Sequence, residues 1–173
     1  MNLKQKIVFF SQDGSNWLIE DFGGVWAGFA QKLIENNFEL ISKDDADADS
    51  IVICNNHLVK HDIYFAKKNI QTQNRILIAW EPRPVLPDMH EPKRYLNYGL
   101  VAAPSSEWFP NHNNRISFFW PQSEIVLESN VKPISQRKNK IVIVQANKFS
   151  LISGENYSLR RKLINQLGPE LID

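Results

Sequence analysis

Two stretches of this 173-residue chain bring together side chains able to do chemistry. The first is Arg75-Ile76-Leu77-Ile78-Ala79-Trp80-Glu81-Pro82-Arg83-Pro84, an apolar run that ends in a carboxylate within a proline-stiffened turn. Pro82 steers Glu81 toward an extended backbone. The apolar surface of Trp80 beside it favours the protonated acid, which suits a general base working near neutrality. The alternative is a structural role, with Glu81 paired to Arg83 or capping a loop. The second stretch is Lys140-Ile-Val-Ile-Val-Gln-Ala-Asn147-Lys148, followed by Tyr157-Ser-Leu-Arg160-Arg161-Lys162. Three consecutive cations in the first turns of a helix oppose its macrodipole. An anion such as a phosphate reverses that sign, and the arginine fork matches its oxygens. A solvated basic face is the alternative here.

Other familiar chemistries are missing from the sequence. It contains no G-x-x-x-x-G-K-[ST] phosphate loop, no G-x-G-x-x-G after the first apolar run and no G-x-S-x-G elbow. The third apolar run ends in Cys54-Asn55-Asn56, without the carboxylate a phosphoacceptor domain requires. His57 and His61 stand four apart, but no third ligand lies nearby, and the spacing is read as a surface pair rather than a metal site. Cys54 is the single cysteine, which excludes a disulfide framework.

These side chains need a scaffold, and the composition supplies one. Hydrophobic residues make up 43%, charged residues 23% and aromatic residues 11%, a mixture that excludes a disordered or fibrous chain. No apolar run approaches the ~20 residues that cross a bilayer, and the N-terminus lacks a signal-peptide pattern. The expected compartment is the cytoplasm, with peripheral association at the inner membrane face as a variant. The net charge of +1 hides an asymmetry, because residues 1–131 carry 12 Lys and Arg against 16 Asp and Glu, whereas 132–173 carry 8 against 3. A near-neutral total argues against general nucleic-acid binding.

Short runs rich in Val, Ile and Phe predict buried strands at 6–10, 38–41, 50–54, 75–80, 100–103 and 140–144, with 116–120 as a seventh or an edge piece. Leu18, Phe22, Val25, Trp26, Phe29 and Leu33 follow helical spacing behind a Ser15 N-cap. Further helices are expected at 57–69, 90–97 and 158–167. Alternation of strands and helices implies βαβ units: an α/β, Rossmann-like three-layer domain with a mostly parallel sheet. The polar stretch 122–139 reads as a linker. It divides a domain at 1–137 from 138–173, either the opening of a second domain or a last strand and helix on the first sheet.

The two chemical stretches resemble glycosyltransferase family 10, the α-1,3/1,4-fucosyltransferases. Arg75–Glu81 resembles that family's acceptor-domain strand, which ends in a catalytic base. Tyr157-Ser158-Leu159-Arg160-Arg161 resembles the start of its donor-domain signature. The resemblance implies the N-terminal half of a GT-B fold, with 138–173 the first strand and helix of a truncated nucleotide-sugar-binding domain. It implies inverting transfer of fucose or a related sugar from GDP-fucose, or another nucleotide sugar, to a glycan acceptor, with no metal in the chemical step. By the same resemblance, Glu81 is the base and Arg160 the phosphate ligand. Arg161, Asn147 and Lys148 are the neighbouring donor contacts.

Acceptor contacts are expected in the loops at the same sheet edge, 12–14, 55–57, 82–90 and 105–108, with Asp13, Asn55, Arg83 and Trp108 as the named candidates. Aromatic faces stack on sugar rings and amide or carboxylate groups bind hydroxyls. The isolated chain is expected to be weak or inactive as an enzyme. The rival expectation is a non-catalytic carbohydrate-binding or interaction module on the same scaffold.

Overall fold

Apolar residues along the inner strands alternate between two buried faces, the signature of a sheet covered on both sides. The computed structural model describes residues 4–10, 26–119, 133–136 and 156–167. The chain divides into two compact units, Met1–Ser123 and Glu124–Asp173.

In the first unit the described strands are β1 (Gln5–Phe10), β2 (Phe38–Leu40), β3 (Ile51–Asn55), β4 (Arg75–Ile78), β5 (Leu100–Ala103) and β6 (Arg115–Ser117). They form one sheet in the order β2-β1-β3-β4-β5-β6. Every neighbouring pair is parallel. Helix α1 (Ala27–Glu35) packs on one face, and α2 (Val59–Lys68) and α3 (Pro92–Tyr95) on the other. The expected three-layer α/β architecture is therefore present, and the sheet is wholly parallel.

The strand alternation sorts the core. Val8, Phe10, Val52, Cys54, Leu77 and Val101 join Phe65 of α2 and Tyr95 of α3. Ile7, Phe9, Ile53, Ile78 and Ala102 join Trp26 and Ala30 on the opposite face. Trp80 continues that second face, packing near Trp26 and Phe118 with ring centroids 5.7 and 5.1 Å away.

Three local corrections have physical causes. The helix expected at 90–97 splits into a 3₁₀ turn, Pro87–His90, and the short α3, because a residue preceding proline resists the helical region and Glu91 is extended at φ −77° and ψ 131°. The edge strand β6 runs from Arg115 to Ser117, and all three of its residues are exposed. Helix α1 begins at Ala27 without a side-chain cap, and the expected Ser15 cap lies outside the described residues. The strand expected at 140–144 also lies outside them.

The second unit contains helix α4 (Tyr157–Leu167), with Tyr157, Ile164 and Leu167 half-buried and Arg160, Arg161 and Lys162 exposed. No described helix is long and apolar enough to cross a membrane.

Candidate functional site

Chain order reverses between β1 and β3, since β2 lies outside β1 and the later strands extend from β3. In open parallel sheets ligands bind beyond the carboxyl ends of the strands near such a reversal. Asn55 closes β3 at that edge and is 3% exposed. Its Oδ1 is buried and accepts no hydrogen bond among the described residues. Leaving a buried amide oxygen unpaired costs on the order of 1–3 kcal/mol.

Asn56 follows in the left-handed region at φ 58°, a conformation that asparagine tolerates better than most residues. Its N–H donates to the Ile78 carbonyl at 2.8 Å. Its side-chain Oδ1 accepts from the backbone N–H of Trp80 at 2.9 Å and of Glu81 at 3.2 Å. One buried side chain thus holds the exit of β4.

The Glu81 carbonyl is held from the other side, accepting from His90 Nε2–H at 3.0 Å. The His90 ring stacks on Phe109 at 5.0 Å with a 12° interplanar angle and abuts Trp108 at 5.6 Å. Burial lowers the His90 pKa, opposed by hydrogen bonds to the backbone of Glu81 and Trp108. The Glu81 carboxylate, by contrast, has no ion-pair or hydrogen-bond partner among the described residues. Arg83, the partner considered from sequence, lies 3.9 Å from Glu91 instead.

Beside this turn lies a cavity of about 550 Å³, within the usual size range of small-molecule sites. Four prolines shape it, and its chemical groups are Arg83, His90, Glu91, Tyr95, Glu107, Trp108 and Asn111. Glu81 is not among the lining residues; its neighbour Pro82 is. Of the expected acceptor contacts, Arg83 and Trp108 meet in this cavity, while Asn55 stands at the strand edge. Asp13, Asn147 and Lys148 lie outside the described residues. Glu107, from the expected loop 105–108, also lines the cavity, as do Glu91 and Asn111, which lie outside the expected loops. Only their shared loop cluster brings them together.

Arg160 and Arg161 occupy successive positions of α4, in the second unit. The Arg160 guanidinium carbon sits 6.0 Å from the Tyr157 ring centroid, a cation–π distance that keeps the cation close to the helix start.

The two histidines are not a surface pair. Both are buried, and each has its own structural partner. His61 Nδ1 accepts from the Leu58 N–H at 3.2 Å, taking the part that Glu or Gln plays at the third position of a helix. His57 Nδ1 lies 2.7 Å from the Tyr98 hydroxyl. Its Nε2 faces Asp62 across 3.5 Å, and Asp62 is bound by Arg94 at 2.6 Å. Burial lowers the His57 pKa most, and Arg94 adds to that while Asp62 opposes it. Cys54 is fully buried and its thiol pKa is raised by that burial, so it is no nucleophile at neutral pH. Among the described residues no group of three His, Cys, Asp or Glu has the arrangement to hold a metal ion.

Comparison with protein-family models, with curated proteins and with solved structures finds no match for this chain.

Proposed function

We propose that the chain is the acceptor-binding part, with the opening of the donor-binding part, of an inverting glycosyltransferase that moves fucose or a related sugar from a nucleotide sugar to a glycan. The observation that carries this reading is Glu81 itself. Its peptide is gripped at both N–H and C=O by buried or half-buried side chains, while its carboxylate is left unpaired among the described residues. A fold that invests in holding a peptide but not its charged side chain leaves that charge for an external partner.

In the reaction, the carboxylate of Glu81 takes the proton of an acceptor hydroxyl. The hydroxyl oxygen forms its bond to the anomeric carbon, and the bond from that carbon to the diphosphate oxygen breaks on the opposite face. The nucleoside diphosphate leaves with the electron pair. Arg160, with Arg161 beside it, offsets the charge that grows on the diphosphate, an interaction stronger in the transition state than in the ground state. Trp108 offers a ring face to the acceptor, and Glu91, Glu107 and Asn111 accept or donate hydrogen bonds to its hydroxyls.

GDP-fucose-dependent transfer by the intact enzyme to a panel of oligosaccharides tests the proposal. Glu81→Gln is expected to lower kcat by about 10²–10⁴-fold, the usual contribution of a general base, with the melting temperature unchanged. Retained turnover in that variant removes the base assignment.

A second reading has an observation on its side, since the cavity is lined without Glu81. A non-catalytic carbohydrate-binding module would bind glycans there and ignore the nucleotide sugar. Calorimetry of the intact enzyme with GDP-fucose and with glycans separates the two, because the enzyme reading requires heat from both and the module from the glycan alone.

A further inference from the structure

We infer that Asn56 and His90 are positioning residues that aim Glu81, an assignment that rests on the reading of Glu81 as the base. Neither residue needs to touch substrate for this. Glu81 lies one residue past Trp80, beyond the last ladder pairing of β4, where a backbone would ordinarily be free to swing. Three constraints remove that freedom.

Pro82 confines Glu81 to extended conformations. Asn56 Oδ1 takes the two successive N–H groups of Trp80 and Glu81. Only the oxygen of the carboxamide can accept from two donors, so the orientation of the amide is settled by its partners. His90 Nε2 lies 3.0 Å from the Glu81 carbonyl and donates to it when the ring proton sits on that nitrogen.

The anchors are themselves anchored. Asn56 is 3% exposed and its own N–H is tied to Ile78, so the carboxamide cannot retreat. His90 is wedged between the core residue Phe109 and Trp108, and Trp108 and His90 both line the cavity. The peptide of Glu81 is therefore clamped between the loop after β3 and the layer that walls the cavity. Only its side-chain torsions remain to be set by a ligand. Misplacement of a reacting group by ~1 Å costs on the order of 10²-fold in rate, so such a clamp has consequences far larger than its hydrogen bonds.

The test uses Asn56→Gly, which accepts φ 58° without strain but removes both accepting contacts. Asn56→Asp serves as the rescue, because it restores an acceptor oxygen. Amide hydrogen exchange in the whole chain reads the clamp directly. In Asn56→Gly the amides of Trp80 and Glu81 are expected to exchange about 2–10-fold faster, as loss of one hydrogen bond each implies. Asn56→Asp is expected to return them to the wild-type rate. Sugar transfer by the intact enzyme reads the consequence, with kcat in Asn56→Gly falling about 10–100-fold and KM staying within about twofold. His90→Phe, which keeps the stacking but lacks the Nε2–H, is expected to lower kcat likewise, and KM is read only in the Asn56 variants because His90 lines the cavity.

Unchanged exchange at those two amides overturns the inference. So does full turnover by Asn56→Gly alongside a dead Glu81→Gln enzyme, because the clamp would then be idle. If Glu81→Gln itself keeps its turnover, the base assignment has failed, and the aiming of a base fails with it. Faster exchange at the two amides then marks Asn56 as a structural tie only.

Discussion

The two edges of the same parallel sheet are built to opposite ends. At the edge where strands begin, Arg75, Ser50 and Asn74 are matched within the chain, and His112 Nδ1 is the buried group without a partner among the described residues. Arg75 donates to the Ile70 carbonyl from both Nε and Nη2, at 3.0 and 2.6 Å, and lies 4.6 Å above the Phe65 ring. Ser50, fully buried, exchanges hydrogen bonds with Asp47, and Asn74 reaches the Ala48 carbonyl. At the edge where strands end, Asn55 Oδ1 and the Glu81 carboxylate are left without partners among the described residues. A cavity opens beside the Glu81 turn. Among the described residues, the first edge pairs Arg75, Ser50 and Asn74 within the chain, whereas the second leaves Asn55 Oδ1 and the Glu81 carboxylate unpaired. Such a division is expected where loops carry function on a rigid scaffold.

Substitutions at each edge should therefore separate stability from activity. The largest contrast is between Glu81→Gln, which should affect transfer alone, and Gly99→Ala, which should affect stability. A Cβ at Gly99 would stand 2.7 Å from Gln73 Cα and 2.8 Å from the Thr72 and Gln73 carbonyl oxygens, all of them backbone. Overpacking of this kind costs about 1–3 kcal/mol, measurable as a lower urea midpoint. An unchanged midpoint would mean that the edge yields more readily than its contacts imply.

A smaller effect follows from His57 and His90, both held below the ordinary histidine pKa chiefly by burial. A histidine whose folded pKa is depressed binds its proton more readily in the unfolded chain. Its stabilising contribution is complete above about pH 6.5, the unfolded value, and is lost as pH falls through the lower folded value. The urea midpoint should thus decline from pH 7.5 to 5.5, above the range where carboxylates titrate. His57→Gln and His90→Gln together should flatten that decline. A slope that persists in the double variant would assign it to other groups.

The smallest effect is expected at Arg83. It and Glu91 are largely exposed and 3.9 Å apart, so Arg83→Ala should change stability by less than about 1 kcal/mol. Any larger consequence should appear in glycan affinity, measured by calorimetry, because Arg83 lines the cavity. A substantial loss of stability would place Arg83 with the structural edge instead.

The sheet was legible because its signal is dense and local. Runs such as Ile7–Phe10 and Ile76–Ile78 bury side chains on alternating faces, and β-branched and aromatic residues announce that directly. Short or exposed elements gave weaker signals. The strand β6 has no buried residue, and α3 depends on where Pro92 permits a helix to start. His57 and His61 were misread as a surface pair, since spacing along a helix says nothing of which element covers its face. The acidic turn at Glu81 was visible because carboxylate, tryptophan and proline are adjacent in the chain. The asparagine that grips it is 25 residues away and carried no motif.

The order of amino acids alone determined the class of this protein: apolar periodicity, the placement of Pro and Gly, and the position of Glu81 after a buried run all follow from neighbours a few residues apart. Tertiary structure decided which groups are matched and which are left over. Pairing depends on loops distant in sequence arriving at one place, as Asn56, Glu81 and His90 do. Hydrogen bonding acts only over about 3 Å, so no reading along the chain can say which side chain will arrive within that reach.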